Sequence, residues 1–333
     1  MKVVIPVAGI GTRLRPHTHT APKVLLPVAG KPILGHILDE LKAMDNVEEI
    51  AFVVGYRGDM VREYVNTSYQ FKTQFVTQEE TKGLGHAIWM TRELYANEKS
   101  PLLIVLGDTI FQADFSKAFA MKESFLGVKE VDDPRRFGLA EVEGGYIKSL
   151  VEKPEHPKSN LALVGIYYVI EPPMLYKALD AIIEENVRMR GEFQLTDALA
   201  RMLKWGYKLR PFPIEGWHDC GKPETMLETN RVILKSKSDP GDIEILKKRF
   251  SGCIINPPVS IGKDVSLENS IVGPYVTVSE GSTIRNAIVS NSILAKGASV
   301  QNVILESSII SDNAKAEGHL FRLNVGDSSE INF

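Results

Sequence analysis

Two hydrophobic patterns alternate over the first two-thirds of the chain. Lys2 to Val7 reads as a strand, and Ile33 to Met44 places Ile33, Ile37, Leu38 and Leu41 at helical spacing. Glu49 to Val54 predicts a strand ending at Gly55, Asp59 to Val65 a short helix, and Thr73 to Thr77 another strand. Gly85 to Tyr95 predicts a helix, and Leu102 to Leu106 an unbroken apolar strand running into Gly107-Asp108. Apolar strands separated by helices predict an α/β protein with a mostly parallel sheet covered on both faces. Such sheets take ligands at the carboxyl ends of their strands. The loop after Val7 and the carboxylate of Asp108 are therefore placed to meet.

The middle is richer in strand pattern. Leu126 to Val131, Leu139 to Val142, Tyr146 to Val151 and Ala162 to Ile170 all read as strands, with Glu143-Gly144-Gly145 as a hairpin turn. Pro172 to Glu185 and Leu195 to Trp205 follow as helices. The character changes near residue 235, which sets a first domain at 1–235 and a polar linker at 236–252. From Cys253 to about Gly318 aliphatic residues recur near every sixth position: Val259, Val265 and Ile271 in one register, Ile288, Leu294 and Val300 in another. Gly, Asn and Ser fill the places between, and the register slips near Pro274-Tyr275. This periodicity predicts a short parallel β-helix over 253–318, against a β-rich sandwich as the alternative. Its span allows only a few coils, with open ends and a flat face, so a homo-oligomer is expected. Residues 319–333 form a polar C-terminal tail with no readable pattern.

The 333 residues are 44% hydrophobic and 24% charged, as in an ordinary water-soluble globular chain, and no apolar run is long enough for a bilayer. Nothing at the N-terminus reads as a signal peptide, and two cysteines cannot build a disulfide framework, so a cytoplasmic location is expected. No Cys/His spacing suggests zinc; His17 and His19 read as loop residues. Charge changes the picture only locally. The chain carries a net charge of -3, yet residues 1–38 hold five Lys or Arg and no acid before Asp39. That basic opening suits a polyphosphate. Neither a nucleic acid nor a membrane is an expected partner.

The basic residues surround a small-residue turn, Ala8-Gly9-Ile10-Gly11-Thr12-Arg13-Leu14-Arg15-Pro16. Consecutive amides in such a turn can cradle an anion. A dinucleotide fingerprint would need glycine where Leu14 stands, and a Walker loop would need Gly-Lys-Ser/Thr where Arg13-Leu14-Arg15 stands. Gly-x-Gly-Thr-Arg-Leu-x-Pro, then Pro22-Lys23, then Gly30-Lys31-Pro32-Ile33 resembles, in order and spacing, the signature of the sugar-1-phosphate nucleotidylyltransferases. Within that family the chain is most similar to the glucose-1-phosphate thymidylyltransferases. The resemblance covers roughly residues 1–230 and implies a doubly wound, mixed but mostly parallel, Rossmann-like sheet. The repeats after it are similar to left-handed hexapeptide-repeat domains.

The same resemblance implies roles. Asp108, after Val105-Leu106-Gly107, and Asp219, in Trp217-His218-Asp219-Cys220-Gly221-Lys222-Pro223, would hold Mg2+; from the residues alone each could equally cap a helix or a turn. Ala8, Gly9, Gly11, Thr12 and Arg13 would bind the nucleotide's phosphates, and Gln78 with Gly83 its base. Phe137, Gly138, Glu152, Lys153 and Val164 would line the sugar-phosphate pocket, with Tyr168 closing it or else lying in the core. Catalysis would rest on Arg13, Lys23, Asp108, Lys153 and Asp219. Three positions depart from the commoner family pattern: Ala8 replaces a third loop glycine, Thr109 replaces Asn or His, and Val24 replaces the Gln that reads deoxyribose in the short thymidylyltransferases.

The expected activity is Mg-dependent nucleotidyl transfer from a pyrimidine nucleoside triphosphate to a sugar 1-phosphate, with dTTP and glucose 1-phosphate as first choice. UTP is the alternative nucleotide. A non-catalytic nucleotide-sugar-binding subunit is the alternative class, opposed by the intact Arg13, Lys23, Asp108, Lys153 and Asp219. An acyltransferase built on the β-helix is opposed by the lack of a histidine in the repeats before His319.

Overall fold

The computed structural model describes residues 1–237 and 240–318. The chain forms two compact units: Met1–Leu26 with Lys31–Met226, and Pro27–Gly30 with the chain from Leu227 onward.

The first unit is built on a nine-stranded mixed sheet. Its main order runs Tyr146–Glu152, Gly138–Glu143, Leu161–Val169, Leu102–Val105, Lys2–Pro6, Glu49–Val54 and Thr73–Thr77. The last four strands are mutually parallel. Leu161–Val169 runs antiparallel to Leu102–Val105. Alternate side chains of the central strands enter two cores. Val4, Ala51, Val53 and Ile104 pack with the Pro172–Glu184 and Leu195–Lys204 helices. Val3, Ile5, Phe52 and Val105 pack with the Ile33–Lys42 and Gly58–Ser68 helices. Both faces are thus covered, which is why these strands read as unbroken apolar runs.

Local departures have local causes. The expected helix over Gly85–Tyr95 breaks into Leu84–Trp89 and Arg92–Tyr95. At the break Thr91 Oγ1 donates to the Ile88 carbonyl at 2.7 Å, and its hydroxyl lies 2.7 Å from that of Tyr176. Such side-chain bonding competes with a regular helix. Several elements escaped the periodicity, among them the strands Thr109–Gln112, Arg210–Pro213 and Gly216–Asp219. The first and third pair antiparallel, aligning Asp219 with Thr109.

In the second unit three four-stranded parallel sheets wrap a single aliphatic core. This is the expected parallel β-helix. Ile254 aligns with Ile271 and Ile271 with Ile288, seventeen residues apart each time, but Ile288 aligns with Ile304 after sixteen. Thr277 aligns with Ile293 after sixteen. The register slip near Pro274-Tyr275 is one extra corner residue, and the preceding coil carries the same extra residue near Pro257-Pro258. The inward residues of this sheet are Val272 and Val289, not Ile271 and Ile288 as the six-residue count implied. Asn269, Asn286 and Asn302, all at positive φ, stack at one corner through 3.4 and 3.2 Å side-chain bonds. Asparagine tolerates that conformation better than most residues.

The expected linker at 236–252 is largely the Pro240–Arg249 helix, and the first unit ends inside the Pro223–Lys237 helix, between Met226 and Leu227, rather than at 235. Leu246 and the buried Phe250, four residues apart, join the β-helix core, so this polar segment has an apolar stripe. Asn230 also belongs here. Its Oδ1 accepts from the Ala29 amide at 2.8 Å and from Thr277 Oγ1 at 2.6 Å, and its Nδ2 donates to the Tyr275 carbonyl at 3.1 Å. The tail at 319–333 lies outside the described residues.

Candidate active site

At the carboxyl end of Lys2–Pro6 the chain turns through Gly9 and Gly11. Gly11 sits at φ +69°, and a Cβ there would lie 2.9 Å from Lys23 Cβ. Glycine is needed at this point because the turn is left-handed and the lysine stem crosses it. The Leu14 amide and the Thr18 hydroxyl both donate to the Gly11 carbonyl at 2.9 Å. Buried Leu14 anchors the short turn Thr12–Leu14 and leaves Arg13 exposed.

Lys23 is buried, and its Nζ lies 2.7 Å from Asp108 Oδ2. Asp219 arrives from the far side of the sequence. Beyond the Asp219–Thr109 alignment, the Cys220 amide donates to the Asp108 carbonyl at 3.2 Å. Arg13 reaches the same place: a Cβ on Gly221 would lie 2.8 Å from Asp219 Oδ1 and 3.1 Å from Arg13 Nη2. The two carboxylates are pulled in opposite directions. Burial disfavours ionised Asp108, but the Lys23 charge and hydrogen bond, with help from Arg13, outweigh it and hold Asp108 below the usual carboxylate range. Burial and the Asp108 charge push Asp219 up, against the opposing pull of Lys23 and Arg13.

This group lies between two cavities. One, of about 400 Å³, is lined by Ala8, Gly9, Gly11, Thr12, Arg13, Lys23, Val24, Gln78, Gly83 and Asp108. All the residues expected to bind nucleotide are here. The other, of about 510 Å³, is lined by Arg13, Asp108, Thr109, Phe137, Gly138, Glu152, Lys153, Val164 and Asp219. Arg13 and Asp108 line both.

The second cavity is fastened by hydrogen bonds around Glu152. Thr196 Oγ1 donates to Glu152 Oε2 at 2.6 Å, and Lys153 Nζ stands 3.1 Å from Glu152 Oε1. The Lys153 amide donates to the Phe137 carbonyl at 3.0 Å. Lys153 has φ +37°, a strained conformation for lysine that these contacts hold in place. A Cβ on Gly138 would lie 2.9 Å from Glu152 Oε2, so glycine there keeps the carboxylate accessible.

Tyr168 is the one expected residue that the structure puts elsewhere. Its ring lies 5.0 Å from that of Phe125 and 5.1 Å from that of Phe119, inside an aromatic core. Successive strand residues face opposite sides, so Tyr167 lines the cavity instead. The sequence reading also missed Arg135, Arg136, Arg190, Glu192, Gln194, Thr196 and Trp217 on the cavity wall. Arg135-Arg136 immediately before Phe137-Gly138 was an available signal.

Residues 2–236 match the family model described as "Nucleotidyl transferase". A low-salt glycan biosynthesis nucleotidyltransferase, Agl11, of Haloferax volcanii is 32% identical, over 88% of this chain and 87% of the relative. A glucose-1-phosphate thymidylyltransferase of Streptomyces griseus is also 32% identical, over 89% and 87%. A UDP-glucose pyrophosphorylase solved with UDP-glucose superposes with a TM-score of 0.61 at 27% identity, covering 71% of this chain and 99% of that one. With its doubly wound sheet and its family match spanning most of the length, the chain belongs to the nucleotidyl transferase family.

Proposed function

We propose that the protein transfers a nucleotidyl group from a pyrimidine nucleoside triphosphate to a sugar 1-phosphate, releasing pyrophosphate. The carrying observation is the meeting of Arg13, Lys23, Asp108 and Asp219 between two cavities. The triphosphate occupies the cavity under the glycine turn, and the sugar phosphate occupies the one around Glu152 and Lys153. A phosphate oxygen of the sugar phosphate attacks the α-phosphorus, a new P–O bond forms, and the bond to pyrophosphate breaks in line. The two substrates bring about six negative charges together, so the residues must neutralise and position rather than react covalently. Arg13 stabilises charge on the α-phosphate and the leaving group. Lys23 holds phosphate and sets the charge of Asp108. Lys153 anchors the sugar phosphate.

The donor chemistry of the site fits Mg2+. Asp108 and Asp219 are hard oxygen donors; burial and then the Asp108 charge raise Asp219, and a divalent cation would relieve both. Two carboxylates leave room for water and substrate oxygens, as magnesium requires. Bound there, the ion supplies Lewis-acid neutralisation of phosphate charge.

For the nucleotide, dTTP with glucose 1-phosphate is the first assignment, supported by the thymidylyltransferase relatives. Val24 on the wall of the nucleotide cavity keeps UTP as the second reading. It offers no side-chain hydrogen bond that would favour a deoxyribose. Pyrophosphate release, measured for dTTP, UTP, CTP, ATP and GTP against several sugar 1-phosphates with Mg2+, tests both. Fastest release with dTTP supports the first, fastest release with UTP the second, and none with any pair rejects the function. Chelation of Mg2+ is expected to abolish turnover.

Among the described residues no helix is long and apolar enough to cross a membrane; we propose a cytoplasmic location, carried by the kinship with biosynthetic enzymes. Self-association is supported by a ladder on one β-helix sheet, where Ile254, Ile288 and Ile304 are exposed. Sedimentation of the full chain checks it: a monomer at all concentrations rejects it.

A further inference from the structure

Gln78 is 96% shielded and lies on the wall of the nucleotide cavity, yet its side chain is not free to choose an orientation. Its Nε2 lies 2.9 Å from His86 Nδ1 and 3.4 Å from the Gly83 carbonyl. A carbonyl oxygen only accepts, so the Gly83 contact requires the amide nitrogen on that side. His86 Nδ1 must then offer a lone pair, which puts the ring proton on Nε2. His86 is itself clamped. Its ring stacks on Trp89 at 5.6 Å and on Phe193 at 6.5 Å. Both hydrogen bonds consume the nitrogen of the Gln78 amide, and Oε1 accepts none among the described residues.

We propose that His86 is a positioning residue for base selection: it holds the Gln78 amide with Oε1 toward the nucleotide, so the site prefers a pyrimidine with a ring N–H, uracil or thymine, over cytosine, which presents a lone pair there. This rests on the reading of that cavity as the triphosphate site. Protonation of His86 turns Nδ1 into a donor. It then opposes the amide nitrogen and favours the reversed amide. The charged groups acting on the ring are Lys82 and Glu80 of the preceding loop, paired at 2.7 Å, and Arg188, whose guanidinium lies 4.4 Å from the Phe193 ring. Burial first, then the Lys82 charge, keeps the imidazole pKa below its ordinary value, while Glu80 opposes. The neutral ring therefore prevails at neutral pH, and the preference weakens only in acid.

Equilibrium titration of the full chain with UTP and with CTP, without sugar phosphate and from pH 5.5 to 8.5, reads base selection without turnover. The wild-type chain is expected to bind UTP about tenfold tighter than CTP at the alkaline end, the scale of one hydrogen bond, with the gap closing in acid. His86→Leu should shrink the gap at every pH. His86→Asn, whose amide oxygen reaches the place of Nδ1 and does not titrate, should restore the preference and flatten its pH profile. An unchanged preference in His86→Leu, or an acid-side loss that persists in His86→Asn, overturns the proposal. Loss of the transferase reading shows separately, as missing pyrophosphate release while these binding differences stand.

Discussion

The two cavities of the first unit are made in different ways. The cavity assigned to the nucleotide takes about half of its wall from Pro6 to Val24, where backbone and small residues do the shaping, and the rest from Gln78 to Ala87 with Leu106, Asp108 and Glu192. The sugar side is assembled from side chains of distant segments: Arg135 to Gly138, Glu152 and Lys153, Arg190 to Thr196, Trp217 and Asp219. A contiguous cradle depends on local turn chemistry. A dispersed one depends on the sheet bringing strand ends together. The glycine turn of the first therefore depends least on the rest of the fold, whereas the second reports on strand and helix packing around Glu152.

Substitutions can break this contrast in graded steps. Arg13→Ala, at the junction of the cavities, should keep the fold and lower turnover by about 100-fold or more. Steady-state pyrophosphate release beside an unchanged circular-dichroism melt checks it, and near-normal turnover rejects the role. Lys23→Met should lower kcat by a similar or slightly smaller factor and move a pH limb as well. Removing Lys23 takes away the main force that lowers Asp108, so Asp108 rises and protonates at higher pH. The acid limb of kcat/KM should therefore shift to higher pH. An unmoved limb would show that Lys23 does not set that charge.

Thr196→Val tests the sugar side alone. It removes the 2.6 Å donor to Glu152, and KM for sugar phosphate should rise about tenfold while KM for the triphosphate stays. Equal changes in both constants would mean that the cavities are not separable. Val24→Gln is the mildest step. It adds one possible hydrogen bond on the nucleotide side and should raise the dTTP-to-UTP ratio of kcat/KM about threefold. No change would remove Val24 from nucleotide choice.

The same contrast explains what could be read from the residues alone. The turn from Ala8 to Lys23 was legible because its glycines, arginine and lysine are adjacent and their spacing carries the chemistry. The central strands were legible because burial on both faces leaves unbroken apolar runs. Arg190, Gln194 and Thr196 were not, since nothing in their own segment signals that the sheet brings Glu152 opposite them. Tyr168 was misplaced by one position, and in a strand one position reverses the face. The β-helix coils were legible as a period, but not which of two adjacent aliphatics turned inward at Ile271-Val272 and Ile288-Val289. There both choices are equally apolar, and only the corner geometry decides.

The turn at Pro27–Gly30 counts with the second unit although its chain neighbours on both sides count with the first. A single cut therefore cannot yield two self-sufficient pieces. A fragment ending at Met226 keeps Ala29 but forfeits Asn230, its acceptor, and a fragment starting at Leu227 keeps Asn230 but forfeits the turn. The repeats are not a bead on a string that shuffling of gene segments could exchange at one junction: a replacement would need its own acceptor for a turn encoded some two hundred residues upstream.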